Sequence, residues 1–515
     1  MNYLITLDIG TSGTRASLYD QTGKCHFTTI SEYHTSFIYP NKVEQNPTDW
    51  KDAAITTLTK VGTFVKENNL QPMGISITSQ RASLIPVDKE GNHYHDAIMW
   101  QDKRTLAECA EMEKKISMGE LHKRTGLRLS PYAVLPRILW LKNHEPAIFE
   151  KAHKLIGVQD YVAFHLTGEF KTDWSQAART MLLDIKTFEW DPELLDIGGL
   201  TNDKLADLIP PGSVAGYLRS AMSELTGLEK GLPVILAGGD QQAAALALNV
   251  IKPGAAEANT GTGSFIIVAT EEPKFDEKCR VICSASAIPG KWILEAVIFN
   301  SGSVQRWFKE QFYQDLIDQE DAYPLLEKEA ASSTPGSNGV MMLAHFEGSA
   351  APYWEPKAKG TFFNLSLGTK RADMIRAVYE GITMEIADNL ALISQVGSEI
   401  NTVTIAGGMA KSNLFANMQA DAFGVNTVRY KDSEASSLGA AISALVTLGV
   451  YDDYEIAATS MLGTNMEIFE PREKENLIFS QMRVRKNRFF NALQQEEVYD
   501  LFMGDIGEVE TIYKK

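Results

Sequence analysis

Near the start of the chain, Asp8 is followed by Gly10-Thr11-Ser12-Gly13-Thr14 and then Arg15. A glycine-rich turn with free backbone N–H groups and hydroxyls is suited to binding an anion, phosphate above all. Two standard phosphate loops are excluded. The stretch lacks the Lys-Ser/Thr ending of a Walker loop, and it lacks the spaced glycines that open a helix in a dinucleotide fold. After Gly13 the pattern alternates polar and apolar residues, turns at "QTGK", and alternates again. That spacing predicts strand, tight loop, strand, turn, strand, with Gly10 to Thr14 at the tip of a β-hairpin. A carboxylate at Asp8 would repel phosphate unless a divalent cation lay between them. Mg²⁺ takes carboxylate, water and phosphate oxygens together. The same residues also make an ordinary hairpin turn, and this stretch alone does not choose.

A second Thr-Gly-Thr-Gly tip occurs in "AEANTGTGSFIIVAT". Around it, "PVILAGGDQQAAALAL" and "VTIAGGMAKSNLFANMQADAFG" each read as strand, Ala-Gly-Gly, helix. Loop types thus recur about half a chain apart. The pattern predicts a duplicated α/β domain, each copy offering one phosphate hairpin to a shared cleft, because ligand sites favour domain interfaces. The boundary is placed near Pro253, giving domains 1–252 and 253–515. Read alone, Asp240 ahead of "QQAAALAL" is a helix N-cap.

Other segments fit the same α/β class. "PTDWKDAAITTLTKVGTFVKENN" predicts a helix opened by Pro and acidic residues, with the strand "MGISIT" after it. "RTLAECAEMEKK" and "VLPRILWLKNHEPAIFEKA" read as amphipathic helices. "NLIFSQMRVRKNRFFNALQQEE" reads as a helix able to pack across the second domain. With 515 residues the chain is long enough for about two to four domains. A net charge of −17 argues against a nucleic-acid partner. No apolar run is long enough for a membrane span, and no signal core opens the chain. Four cysteines form no disulfide framework; Cys279 and Cys283 read as strand core. His93 and His95 read as a solvated hairpin rather than a metal site. A cytoplasmic location is the expectation from these features.

Taken in order, the motifs resemble the FGGY carbohydrate kinases of the actin–hexokinase–chaperone ATPase superfamily over nearly the whole length. "DIGTSGTRA" is similar to the first phosphate loop and "AIMWQDKRT" to the substrate segment. "DYVAFHLTGEFKTDWSQAARTMLLDI" is a characteristic internal stretch. "GGDQQAAA" is similar to the catalytic segment, "GTGS" to the second phosphate loop, and "AGGMAKSNLFANMQAD" to the adenine segment. "APYWEPKAKGTFFNLSLGTKRADMIRAVYEG" matches the second signature region. The resemblance implies two RNase H-like, actin-like ATPase domains with a cleft between them. It implies ATP as phosphate donor, Mg²⁺ held by Asp8, and a small sugar or polyol as acceptor. Thr11, Ser12, Thr14 and Arg15 would contact phosphate, with Gly261, Thr262 and Gly263 closing from the second domain. Gly302 would lie near the nucleotide, and Gly408, Met409 and Asn413 would border adenine and ribose. Gly13 departs from the family, where Ser is common.

Asp240 is the implied catalytic base. A sugar hydroxyl is a poor nucleophile, and a carboxylate within reach accepts its proton as the P–O bond forms. The implied substrate pocket comprises Gln80, Arg81, Trp100, Tyr132, Asp240, Gln241 and Phe265. Glycerol kinases of the family carry Gln-Arg-Glu in the substrate loop. Here "SQRAS" puts Ala82 in place of the Glu, which removes an acceptor for a polyol hydroxyl. Arg81 suits a ketone, a hydroxyl or an acid group, although on its own it also reads as a surface loop residue. The expectation is a kinase for a ketopentose such as xylulose, with glycerol, gluconate or a signalling polyol as alternatives. A superfamily chaperone or cytoskeletal ATPase would leave Asp240 and the substrate loop unexplained. A catalytically silent sugar and ATP sensor would not need Asp8, Asp240 and both loops together. A homodimer is left open.

Overall fold

The computed structural model describes residues 1–316, 319–430 and 434–502. They fall into two compact units. Of these, the first contains 1–252, with 269–294 and 434–465 added to it; the second contains 253–268, 295–316, 319–430 and 466–502.

The first unit is built on a six-stranded sheet in the order Val214–Tyr217, Pro233–Gly239, Pro72–Ser79, Tyr3–Ile9, Gly13–Asp20, Cys25–Glu32. Pro233–Gly239, Pro72–Ser79 and Tyr3–Ile9 run parallel. Gly13–Asp20 folds back antiparallel on Tyr3–Ile9, pairing Ile9 with Thr14, so the predicted hairpin tip is present. Successive side chains of a strand face opposite ways, and both faces of Tyr3–Ile9 are covered. Ile5, Leu7 and Ile9 pack with Trp50 and Leu58 of the helix Pro47–Glu67. Leu4 packs with Leu438, Ala441 and Leu445 of the helix Ala435–Thr447. The parallel centre holds the C-terminal strand ends, where Asp8 and Asp240 emerge, between two helical layers.

The second unit repeats the plan. The hairpin Ala255–Thr260 and Ser264–Thr270 pairs Thr260 with Ser264. Thr402–Ala406 and Asn426–Tyr430 continue the sheet in parallel, and Met466–Phe469 closes it antiparallel. The helix Arg371–Val396 is buried along most of its length. The helix Glu473–Gln495 packs against it and against Asn413–Phe423. It is anchored by the fully buried Lys486, whose Nζ lies 2.6 Å from Glu385 and 2.7 Å from Asp388.

Three expectations change. The "VLPRILWLKNHEPAIFEKA" stretch splits into Val134–His144 and Pro146–Lys151, since the residue before a proline disfavours helix. The first of these is not amphipathic: every residue from Val134 to Leu141 is buried within a second core beside the sheet. Cys283 lies in a strand as expected, whereas Cys279 is a buried loop residue with φ 54°. His93 and His95 are half-buried rather than solvated, with His93 bridged to Val87. Among the described residues no helix is long and apolar enough to cross a membrane.

Candidate functional site

In the first unit, Asp8 sits one residue before the end of its strand, directly opposite Arg15. Burial pushes its carboxyl up to about 7; Asp240 and Glu434 push the same way and Arg15 opposes. Arg15 Nη1 lies 3.2 Å from the Glu434 carboxylate. The tip itself is closed by the Gly10 N–H donating to the Gly13 carbonyl at 3.0 Å. A Cβ at Gly13 would stand 3.1 Å from the Ser31 carbonyl, so the departure from Ser suits a close neighbouring strand.

Three side chains hold the carbonyls of this tip. Tyr33 Oη and Gln80 Nε2 donate to the Gly10 carbonyl at 2.6 and 3.2 Å. Gln45 Nε2 donates to the Thr11 carbonyl at 2.6 Å. In a trans peptide the N–H points opposite to the carbonyl. The N–H groups of Thr11 and Ser12 are therefore turned away from these partners, as an anion-binding loop requires. The hydroxyls divide. Ser12 is exposed, while Thr14 is fully buried and bonds Tyr33 Oη at 3.5 Å. The Thr11 hydroxyl donates to Gln80 Oε1 at 3.1 Å and accepts from Trp100 Nε1 at 3.4 Å. It thus joins the hairpin tip to two of the residues expected at the substrate. Gln45, Tyr33 and Glu434 were not singled out by the sequence. Gln45 is 2% exposed although it precedes a helix by two residues, and no local pattern marks it.

Gln80 and Arg81 follow the end of Pro72–Ser79, and both are buried. Arg81 Nε lies 3.8 Å from Asp240 Oδ1. Gly239 allows that approach, because a Cβ there would come within 2.4 Å of Arg81 Cδ. Asp240 does not cap its helix. The strand runs directly into the helix, so Asp240 is the first helical residue and Gly239 holds the cap position. The Gly239 N–H donates to Ser175 Oγ at 2.9 Å, and Ser175 Oγ donates to Asp173 at 2.6 Å. Asp240 Oδ1 accepts from the Gln241 N–H at 2.7 Å. Burial raises the Asp240 carboxyl above its ordinary range, while Arg81, the Gln241 N–H and Arg179 counteract the rise. Gln241 Oε1 is buried without a hydrogen-bond partner. Trp100 is exposed and Tyr132 is half-buried. Gln80, Arg81, Trp100, Tyr132, Asp240 and Gln241 thus all belong to the first unit, whereas Phe265 belongs to the second.

In the second unit the tip Gly261-Thr262-Gly263 is exposed at Gly261 and Thr262. The Gly302 N–H donates to the Gly261 carbonyl at 2.9 Å, and the Ser301 N–H to the Thr262 carbonyl at 2.9 Å. A Cβ on Gly302 would approach the Gly261 carbonyl to 2.4 Å and Met409 Cγ to 3.7 Å. Gly261, Gly302 and Met409 therefore meet, with Gly302 opening the helix Gly302–Phe312. Gly408 begins a short turn of 3₁₀ helix after Thr402–Ala406 and has open space at its Cα. Asn413 is exposed and its Oδ1 accepts from Arg429 Nη2 at 2.6 Å.

Asp8 and Asp240 supply two carboxylates that influence one another. Among the described residues no group of three His, Cys, Asp or Glu could hold a metal ion. The two carboxylates are oxygen donors of the kind that Mg²⁺ accepts beside water and phosphate.

Comparison with known proteins converges on one family. Residues 3–247 match the model of the FGGY family of carbohydrate kinases, N-terminal domain, and residues 256–448 match that of its C-terminal domain. A gluconokinase of Bacillus licheniformis is 29% identical over 90% of this chain and 91% of its own. A glycerol kinase of Citrifermentans bemidjiense is 32% identical over 92% of this chain and 96% of its own. The crystal structure of a ligand-bound xylulose kinase from Lactobacillus acidophilus superposes with a TM-score of 0.89 at 26% identity, covering 96% of this chain and 99% of that one.

Proposed function

The chain belongs to the FGGY family of carbohydrate kinases, and from that premise we propose that it transfers the γ-phosphate of ATP to a hydroxyl of a ketopentose such as xylulose. Asp240 is the base. It accepts the proton of the attacking hydroxyl as that oxygen bonds to phosphorus and ADP departs, a role worth roughly 10²–10⁴-fold. Burial raises its carboxyl above the ordinary range, and the neighbouring Arg81 opposes that rise. Arg81, 3.8 Å away, favours the charged form of the carboxylate and orients the sugar beside it. Gln80, Trp100, Tyr132, Gln241 and Phe265 complete the sugar contacts. Thr11, Ser12, Thr14 and Arg15 position phosphate. In two of these the hydroxyl is engaged internally, so Thr11 and Thr14 act chiefly through backbone and shape. Gly261, Thr262, Gly263 and Gly302 serve phosphate in the second unit, and Gly408, Met409 and Asn413 serve adenosine. Asp8 would hold Mg²⁺, which neutralises phosphate charge when bound. The protein is expected in the cytoplasm.

The observation that carries the substrate reading is Ala82. It stands where glycerol kinases present a Glu, and the nearby carboxylate left to receive a polyol hydroxyl is Asp240. A buried hydroxyl without a partner costs about 1–3 kcal/mol, which disfavours glycerol. A second reading, an aldonate such as gluconate, is favoured by the two guanidiniums, Arg81 and Arg179, that act on Asp240. The test is kcat/KM for xylulose, gluconate and glycerol in wild type and in Ala82→Glu. Xylulose should lead in wild type, and the variant should gain on glycerol by about tenfold or more, the equivalent of a restored hydrogen bond. A wild type that already prefers glycerol would overturn the reading; one that prefers gluconate would establish the second.

A further inference from the structure

We infer that Arg137 is a positioning residue that sets the shape of the sugar pocket by clasping three of its loops from behind. The inference rests on the reading of Arg81, Trp100 and Tyr132 as pocket residues. Arg137 is the one charged residue in the apolar run Val134–Leu141, and it is fully buried. Its Nη1 donates to the Ala82 carbonyl. Its Nη2 donates to the carbonyls of Trp100 and Pro131, each at 3.0 Å. These three carbonyls belong to Trp100 itself, to the residue after Arg81 and to the residue before Tyr132. One guanidinium therefore ties together three segments that are distant in sequence, each bearing a side chain of the pocket.

Two further observations set this apart from ordinary packing. Among the described residues no carboxylate forms an ion pair with Arg137; its hydrogen-bond partners are all main-chain carbonyls. Burying a cation with no carboxylate in contact is costly; burial pushes its pKa down to about 10 with the more distant Asp102 opposing, which still leaves it charged at neutral pH. A leucine or methionine would fill the same helix face without that cost. Secondly, Ala82 has φ 61°, the left-handed region that an L-residue avoids unless its surroundings hold it there. The Arg137 bond is made to the carbonyl of that residue, on the loop where the specificity argument turns. A planar guanidinium meets three carbonyls at fixed angles, whereas an ammonium cannot reproduce the fork.

The experiment compares Arg137→Lys and Arg137→Gln with wild type, using purified full-length protein. Three quantities are read for each: KM and kcat across xylulose, gluconate and glycerol; ATP affinity by equilibrium binding; and thermal melting. Arg81→Met runs alongside. The inference predicts that both Arg137 variants fold. Their sugar KM should rise about tenfold or more, their ranking of the three sugars should flatten, and ATP affinity should stay within about twofold. Lys should retain more selectivity than Gln, because it keeps the charge and one carbonyl contact. Unchanged sugar KM and selectivity would overturn the inference, as would a parallel loss of sugar and ATP binding. If neither variant folds, Arg137 holds the unit and not the pocket, which also overturns it. If Arg81→Met leaves the sugar KM unchanged, the pocket assignment itself fails, whatever Arg137 does.

Discussion

Asp8 and Asp240 are carboxylates from two different strand ends, and each is held above the ordinary carboxylate range chiefly by burial. Two like charges that face one another raise the cost of ionising both. A divalent cation beside them would remove that cost, and the opposing Arg15 offsets only part of it. Replacing Asp8 by Asn should therefore separate function from fold. Turnover should fall and the Mg²⁺ concentration for half-maximal turnover should rise. The melting temperature without Mg²⁺ should hold or increase, by about 1–2 °C for each kcal/mol of repulsion relieved. A Mg²⁺ titration of turnover beside a melting curve reads both. Normal turnover at low Mg²⁺ would remove Asp8 from the metal site. At this scale the sequence was partly legible. Asp8, Arg81 and Asp240 drew attention only through the order of the motifs around them, since each alone also reads as a turn, a surface loop or a helix cap. Gln45 and Tyr33 were not, because they act on the hairpin from other segments, and nothing in their own neighbourhoods signals it. The reading of Asp240 as a cap failed because it assumed a loop residue between strand and helix, and there is none.

At the scale of elements, the two hairpins and the two strand–Gly–Gly–helix passages were readable from alternation and glycine placement. The helix Val134–His144 was misread because its burial on all sides depends on neighbours that periodicity does not reveal. Behind the substrate loop lies an element whose electrostatics make a prediction of their own. Asp160, near the start of the helix Val158–Thr167, accepts from the Gly157 N–H at 2.9 Å. Its Oδ1 is buried without a partner, and it borders a cavity of about 30 Å³ beneath Ala82 and Ser83. Burial pushes its carboxyl up to about 7, with the Gly157 N–H and Thr172 opposing and Asp173 adding to the rise. The folded state thus keeps a proton between about pH 4 and 7 that the unfolded chain releases. Stability from this group is present below the unfolded pKa and is lost as pH rises through the folded one. Asp160→Asn keeps an acceptor for Gly157 but has no such proton. The variant should gain on wild type progressively between about pH 4 and 7, by up to about 4 kcal/mol. Denaturant unfolding of both proteins at several pH values checks it, and parallel pH profiles would contradict it.

At the scale of the molecule, the sequence reading divides the chain once, near Pro253, whereas the compact units are discontinuous, with 269–294 and 434–465 in the first. The helix Ala435–Thr447 covers a face of the first sheet through Leu438, Ala441 and Leu445. A boundary drawn from loop repeats could not foresee it, because this helix follows the second repeat in sequence while packing on the first. The family, the α/β architecture and the carbohydrate kinase activity were legible because many weak motifs occurred in one order. The sugar was not, since relatives that act on xylulose, gluconate and glycerol are similar to this chain at nearly the same identity. The net charge of −17 says nothing of the sugar either. The central claim is that phosphoryl transfer to a sugar passes its proton to Asp240. Its most direct measurement is single-turnover transfer from ATP to the best sugar in wild type and Asp240→Asn, with ATP binding and melting recorded on the same samples. Asn retains an oxygen for the Gln241 N–H but cannot accept a proton at neutral pH. The transfer rate should fall by roughly 10²–10⁴-fold, with ATP affinity nearly unchanged and the melting temperature held or raised, as for Asp8→Asn. A folded Asp240→Asn protein that phosphorylates the sugar at the wild-type rate would contradict the account.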